Sequence, residues 1–191
     1  MLSDAAQQYV LKLSRATLHM YLQHTRVIDK PRTYPPELSQ QYNVLVELKK
    51  KVPGTGTMEI RGQAGELNTG KSLIDAVVNA VVSAVNDRKY APLKLDEFPV
   101  TEIEVSLFDK YEDITSPNPR EYINKINLGV DGLILNKGMR AGVIMPKIPI
   151  ERKWTVAESL ENLCERAGID RNSWTDPSTR IFKFRPQVLR G

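Results

Sequence analysis

The chain has 191 residues, a formal net charge of +4 and one cysteine. This length allows one domain with a sizeable core, and the mild positive charge permits nucleic-acid binding without requiring it. A single cysteine excludes an internal disulfide and favours a reducing compartment. With no signal peptide and no apolar run of membrane-spanning length, we expect a soluble, cytoplasmic protein that has no membrane partner.

A first helix is predicted over residues 4–23, because apolar side chains recur there at steps of three and four. The predicted inward stripe is Ala5, Tyr9, Leu13, Ala16 and Met20. His19 and His24 lie five residues apart, on different sides of the helix end, and are not expected to share a metal ion. In the proline-rich loop 26–42, we expect Tyr34 and Leu38 to pack onto the body of the protein.

Alternating apolar residues over 43–49 predict a strand, and a second strand is predicted over 57–61 after the turn residues 53–56. The two form a predicted antiparallel hairpin, with Lys49-Lys50-Lys51 as its solvated end. A glycine loop is predicted next, in which Gly62 and Gly65 bracket Gln63 and Ala64. It leads to an apolar helix over 72–86, whose start is marked by Ser72 and Asp75 in a pattern like a capping box.

A strand, a glycine loop and a helix start in succession can form an anion pocket, because the first backbone N–H groups of a helix are free. Residues 65–72 also match the phosphate-binding pattern G-x-x-x-x-G-K-[ST], with Lys71 and Ser72 at its end. A nucleotide site of that kind also needs a carboxylate from a neighbouring parallel strand. We therefore predict an ordinary loop into a helix that does not hydrolyse ATP or GTP.

The second half of the chain alternates strands and helices. Strands are predicted over 101–108, 130–135, 139–145 and 181–188, and helices over 119–126 and 155–167, with a loop after Pro146. On the strand 101–108, Glu104 lies on the polar face, and an ion pair with Arg61 is its simplest role. Cys164 lies on the apolar face of the capped helix 155–167 and is expected to be a buried, non-catalytic residue.

The order of these elements predicts an α+β (mixed α/β) protein with mixed or antiparallel sheets flanked by helices. At least two hairpins are expected, which argues against the parallel sheet of a nucleotide hydrolase. Phe182 and Phe184 alternate with Lys183 and Arg185, but the glycines of an RNA-binding strand are missing. We therefore expect a core-packed last strand.

Short segments along most of the chain match, in order, those of one known family. They are 60–65 (Ile-Arg-Gly-Gln-Ala-Gly), Asn79-Ala80, 87–90, Pro92-Leu93, 103–106, 129–135, Met145-Pro146, Trp154 and 163–168. Taken together, they resemble the AMMECR family of archaeal and bacterial proteins and their human relative. The family signature has a cysteine where this chain has Gln63, and a glutamine where it has Lys147.

The resemblance implies a single domain over residues 1–191, with two lobes and a cleft that the signature faces. It also implies possible Memo-type and radical SAM protein partners, as in the three-part AmmeMemoRadiSam system. Gln63 cannot be a thiolate nucleophile or a soft metal ligand. No catalytic residue, metal ligand or cofactor is assigned, and whether the protein is an enzyme stays open.

Three functions are compatible with the sequence. The first is a ligand- or partner-binding component whose cleft is lined by residues 61–65. The second is an enzyme acting on an anionic substrate that carries phosphate or carboxylate, or on a nucleotide through residues 65–72. The third, less favoured, is a nucleic-acid-associated regulatory module. The candidate residues for binding a small anionic ligand are Arg61, Gly62, Gln63, Gly65, Lys71, Ser72 and Glu104.

Overall fold

The computed structural model describes residues 2–52, 54–67 and 69–191, which form an α+β structure with two four-stranded antiparallel sheets. In chain order, the helices and strands are α1 (Asp4–His24), β1 (Asn43–Lys51), β2 (Met58–Glu66), α2 (Leu73–Val85), β3 (Thr101–Phe108), β4 (Tyr111–Asp113), α3 (Tyr122–Lys125), β5 (Gly132–Lys137), β6 (Arg140–Ile144), α4 (Lys147–Arg152), α5 (Val156–Arg166), β7 (Arg180–Phe184) and β8 (Gln187–Arg190). The chain divides into two compact units, which we call unit 1 (up to Asp109, with Gln187–Gly191) and unit 2 (Lys110–Pro186).

Unit 1 contains a sheet of strand order β2-β1-β3-β8 and the helices α1 and α2. Alternate residues of β1 and β3 enter its core, because successive side chains of a strand point to opposite faces. These residues are Val44, Val46, Leu48, Ile103, Val105 and Leu107. Helix α2 is buried along most of its surface, as its composition predicts, and Leu38 and Tyr34 pack the loop 26–42 onto the same core.

The predicted inward stripe of α1 is confirmed only for Leu13 and, in part, for Tyr9, whereas Ala5, Ala16 and Met20 are exposed. The residues that the helix buries are Ala6, Val10, Leu13, Ser14, Thr17 and Leu18. Ser14 and Thr17 can lie inside because each hydroxyl donates to the carbonyl four residues earlier, at 2.8 Å. Because these hydroxyl groups make their hydrogen bonds within the helix, the buried face of α1 includes polar residues and differs from the apolar stripe that the sequence predicts.

Strand β2 is longer than predicted, and the expected glycine loop is part of it. It pairs with β1 through the glycines as far as Glu66, and the ladder contains a bulge at Arg61. A Cβ atom on Gly62 would lie 2.0 Å from the carbonyl oxygen of Ala84 in α2, and one on Gly65 would lie 2.5 Å from a methyl group of Leu45. These glycines are therefore used for close packing and not for a turn.

Unit 2 contains a sheet of strand order β4-β7-β5-β6, with α5 packed on it. The hairpin of β5 and β6 and the capping box of Thr155 and Glu158 are both present as predicted. The predicted loop after Pro146 is instead the short helix α4.

The predicted last strand over 181–188 is two strands in different sheets. β7 ends at Phe184 and pairs within unit 2, whereas β8 begins at Gln187 and pairs with β3 of unit 1. Pro186 lies between them, and proline cannot donate a hydrogen bond to a sheet ladder. In the parts of the chain that the structure describes, no helix is long and apolar enough to cross a membrane.

Candidate functional site

Four polar residues line up across the sheet of unit 1, one on each strand. Glu47 is paired in register with Gln63 on one side and with Glu104 on the other, and Glu104 is paired with Arg190. We call Gln63, Glu47, Glu104 and Arg190 the polar row. Because Val46 and Leu48 of β1 enter the core, the row lies on the opposite face of the sheet.

The two carboxylates of the polar row are held by two cations. Lys49 Nζ lies 2.7 Å from Glu104 Oε2 and 3.1 Å from Glu47 Oε2, and Arg190 Nε donates to Glu104 Oε2 at 3.0 Å. The Glu104 side chain is only 4% exposed. Like charges on neighbouring strands destabilise a sheet, and buried charges need partners, so Lys49 and Arg190 offset the repulsion between the two glutamates.

The two ends of the polar row carry hydrogen-bonding groups that are not fully used. The Arg190 side chain is 63% exposed, and Nε is the guanidinium atom that binds Glu104. Gln63 is half-buried, and its backbone N–H donates to the Asp87 carboxylate at 3.4 Å. Among the residues that the structure describes, no hydrogen bond satisfies the Gln63 side-chain amide, which offers both donors and an acceptor.

Arg61 does not pair with Glu104, contrary to expectation. Nη1 and Nη2 of its guanidinium each donate to an oxygen of the Glu97 carboxylate. Nη2 also donates to the carbonyl of Pro92 at 3.3 Å. Lys50 and the backbone N–H of Lys94 also bind Glu97, at 2.8 and 3.0 Å. The guanidinium of Arg61, with Lys50, lowers the pKa of Glu97 to about 2.

The β-bulge at Arg61 explains where the Arg61 side chain points. A bulge adds one residue to a strand and re-aims a side chain, and here it brings Arg61 to the same carboxylate as Lys50. Arg61 therefore fastens the segment 91–97 to β2. Only 12% of its side chain is exposed.

The segment that matches the phosphate-binding pattern is occupied by contacts of its own. Lys71 Nζ lies 2.9 Å from a Glu66 carboxylate oxygen, and the Ser72 hydroxyl caps α2 by accepting from the Asp75 backbone N–H at 3.4 Å. The same hydroxyl donates to the Asp75 carboxylate, which also binds Lys30. Gly65 lies within β2, in an antiparallel sheet, and Asn68 lies outside the described residues.

Cys164 is fully buried in the core of unit 2, on the inward face of α5. Burial raises the pKa of its thiol, because the charged thiolate is disfavoured away from water. This is the environment expected for a structural cysteine. Over residues 2–52, 54–67 and 69–191, no group of three or more His, Cys, Asp or Glu side chains is arranged to hold a metal ion.

Comparison with known proteins identifies the family. The AMMECR1 family model matches residues 11–189. The chain belongs to the AMMECR1 family. Protein PH0010 of Pyrococcus horikoshii is 33% identical over 190 residues, which cover 98% of this chain and 91% of that protein. A relative from Methanothermobacter thermautotrophicus is 31% identical over 94% of this chain and 91% of its own length.

The fold is shared with an experimental structure of an AMMECR1 relative. A crystal structure of PH0010, described as an uncharacterized protein, superposes with a TM-score of 0.90 at 32% identity. The superposition covers 99% of this chain and 93% of the PH0010 chain.

Sequence reasoning named Gln63, Glu104 and Arg61 as candidates, but it missed Glu47, Lys49 and Arg190 beside Glu104 and Glu97 as the partner of Arg61. Lys49 was expected at a solvated strand end, yet it lies between two carboxylates. The alternation of β1 does place Glu47 and Lys49 on its polar face, which was the available signal. The missing information was the strand order, because Arg190 meets Glu104 across 86 residues of sequence.

Proposed function

We propose that this AMMECR1 family member is a ligand-binding component and that the polar row is its binding surface. The observation that carries the proposal is the pair of adjacent carboxylates, Glu47 and Glu104, held on one sheet face by Lys49 and Arg190. An apolar or neutral face would stabilise the sheet at lower cost, because buried ion pairs are often no better than hydrophobic packing. Costly polar arrangements of this kind are concentrated at functional sites.

The geometry favours a small polar ligand that bears an anionic group. The exposed guanidinium of Arg190 supplies donors for a carboxylate or phosphate, and the Gln63 amide supplies a donor and an acceptor. Gln63 and Arg190 are separated by three strand spacings, which amount to about 14 Å. The Gln63 and Arg190 side chains are both long, so a ligand shorter than that backbone separation, such as a dipeptide or a nucleoside monophosphate, can touch both of them.

The role of the other candidate residues differs from their expected role. Arg61 and Gly62 act as supports, since the arginine binds Glu97 and the glycine packs against α2. The contacts of Lys71 and Ser72 and the antiparallel sheet do not favour the alternative of a nucleotide enzyme at residues 65–72. A cytoplasmic location and Memo-type and radical SAM partners remain part of the proposal, on the basis of the family resemblance.

The test is a thermal-shift panel of amino acids, dipeptides, dicarboxylates and nucleoside monophosphates at millimolar concentration. A ligand at a hundredfold excess over its Kd stabilises the folded state by about 2.7 kcal/mol, which raises Tm by several degrees. We expect at least one anionic compound to do this. Gln63→Ala and Arg190→Ala should each weaken its binding about tenfold, the loss expected from one hydrogen bond to a charged group.

Lys71→Ala is the matched control, because it removes a nearby cation that lies outside the polar row. It should leave binding unchanged. If no anionic compound stabilises the protein, or if binding survives both Gln63→Ala and Arg190→Ala, the polar row is not a ligand site. Binding that is lost in Lys71→Ala alone would restore the phosphate-loop alternative.

A further inference from the structure

Unit 2 carries a small apolar groove that is independent of the polar row. It has a volume of about 140 Å³ and lies where α3 meets the first turns of α5 and the 3₁₀ helix Arg171–Thr175. Its walls include Tyr122, Ile123, Val156, Leu160 and Trp174. A cavity of about 150 Å³ with similar walls is large enough for a benzene ring, so this groove can hold one bulky side chain.

Trp174 forms part of the groove wall and reports on its occupancy. It packs edge-on against Tyr122, with ring centroids 5.9 Å apart. Its indole Nε1 is buried and has no hydrogen bond to the residues that the structure describes, so a ligand in the groove does not contact this atom directly. Because the indole ring lines the groove, the N–H is a local NMR probe of binding there.

The rim of the groove combines apolar and positive surface. Ile123 is 65% exposed, although its neighbour Tyr122 is buried. Arg120 also lines the groove and is exposed, and within the described part of the chain no carboxylate lies within ion-pair distance of it. The adjacent carboxylate, Glu121, is bound to Lys125 and Ser116 instead.

We propose that this groove binds a partner protein through a short peptide with one bulky apolar side chain next to an acidic residue. The apolar side chain fills the groove against Ile123 and Leu160. The acidic side chain pairs with Arg120, which is exposed at the groove. Aromatic and arginine anchors around a small pocket are the usual centre of a protein interface.

The test uses the full chain and the peptide N-acetyl-leucyl-glutamic acid amide, followed by NMR of ¹⁵N-labelled protein. The chain has two tryptophans, so its two indole N–H signals are assigned with Trp154→Phe. Titration to millimolar concentration should move the Trp174 signal in a saturable way, because its ring lines the groove, and leave the Trp154 signal in place. The serine analogue should move neither signal, and the glutamine analogue should bind several-fold more weakly than the glutamate peptide.

Two surface variants and one control separate the contributions of the apolar contact and of the charge to peptide binding. Ile123→Ser should weaken binding about tenfold, whereas Arg120→Ala should remove the preference for glutamate over glutamine. Met139→Ser is the control, because Met139 is a fully exposed apolar residue of the same unit outside the groove. The proposal is overturned if the Trp174 signal does not move, if the serine peptide moves it equally, or if Ile123→Ser binds as well as Met139→Ser.

Discussion

Gly62 determines how closely β2 can approach α2. The carbonyl oxygen of Ala84 occupies the space that a side chain at position 62 would need. Backbone atoms of a packed helix cannot move aside as the end of a side chain can, so this contact tolerates only hydrogen. Gly65 differs, because its nearest neighbour is the flexible side chain of Leu45.

Gly62→Ala should therefore be much more damaging than Gly65→Ala. We expect the first to lower the free energy of unfolding by about 3 kcal/mol, at the upper end of overpacking costs, and the second by about 1 kcal/mol. Urea unfolding followed by circular dichroism measures both. Equal losses would show that α2 shifts to make room for the added methyl group.

Glu97 connects three segments of unit 1 through one carboxylate, which binds Arg61, Lys50 and the backbone of Lys94. Arg61 is the main cause of its low pKa of about 2, against an ordinary value of 4.5. Because the folded-state pKa is the lower one, the unfolded chain binds more protons between these values. The stability from Glu97 is thus complete above pH 4.5 and is lost as the pH falls towards 2.

Glu97→Gln should lower the free energy of unfolding at pH 7 by roughly 2 kcal/mol. It should also reduce the loss of stability between pH 5 and pH 2, which chemical denaturation at a series of pH values measures. Glu59→Gln, at an exposed position of β2, is the control and should follow the wild-type curve. A Glu97→Gln curve parallel to that of the wild type would contradict this account.

At the scale of the secondary-structure elements, local signals predicted most of what was observed. The capped starts of α2 and α5, the strand β3 and the hairpin of β5 and β6 were all predicted, because their caps, alternation and turns are encoded over a few residues. The failures need information from elsewhere in the chain. The glycines of β2 favour a loop in isolation, and only their neighbours in the fold explain them, α2 for Gly62 and β1 for Gly65.

In the candidate site, too, local sequence predicted some features, and others depended on distant parts of the chain. Glu104 and Gln63 were named from the sequence as candidates and stay candidates, but the predicted pairing of Arg61 with Glu104 was wrong, because strand order and the bulge decide which side chains meet. The division of residues 181–188 into β7 and β8 was signalled by Pro186, but which sheet each strand joins is a long-range choice.

The start of α2 gives a direct test of the segment 65–72. Ser72→Ala should cost about 1 kcal/mol of stability, because the hydroxyl caps the helix. Lys71→Ala should cost less than about 1 kcal/mol, because the Lys71 side chain is 42% exposed and its ion pair is therefore screened by water. Calorimetric titration of the wild type with ATP and Mg²⁺ should show no binding. Micromolar binding that Lys71→Ala abolishes, together with hydrolysis, would overturn this interpretation.

At the scale of the whole molecule, unit 2 is an insertion between two neighbouring strands of unit 1. β3 leads into it and β8 follows it, and these strands are antiparallel partners with Leu107 opposite Gln187. The chain therefore leaves unit 1 and returns to it at adjacent positions.

This topology predicts that unit 1 folds without unit 2. In a shortened chain, residues up to Phe108 would be joined to Gln187–Gly191 by the linker Asn-Gly-Thr. Asn-Gly is the preferred two-residue hairpin loop, and Thr replaces Pro186. We expect a cooperative thermal transition and an NMR spectrum with dispersed β-strand signals. The polar row should be retained, since all four of its residues lie in unit 1. A shortened chain with a collapsed, poorly dispersed spectrum would refute the prediction.

The position of β8 after unit 2 in the chain has a consequence for synthesis. Every residue of unit 2 must be translated before the fourth strand of the first sheet can be synthesised. The usual order, in which the N-terminal part folds first, is therefore reversed for the completion of that sheet. Until β8 is available, β3 has an unpaired edge of the kind that aggregates, and the ion pair between Glu104 and Arg190 cannot form. Deletion of Gln187–Gly191 would leave the sheet permanently in this three-stranded state.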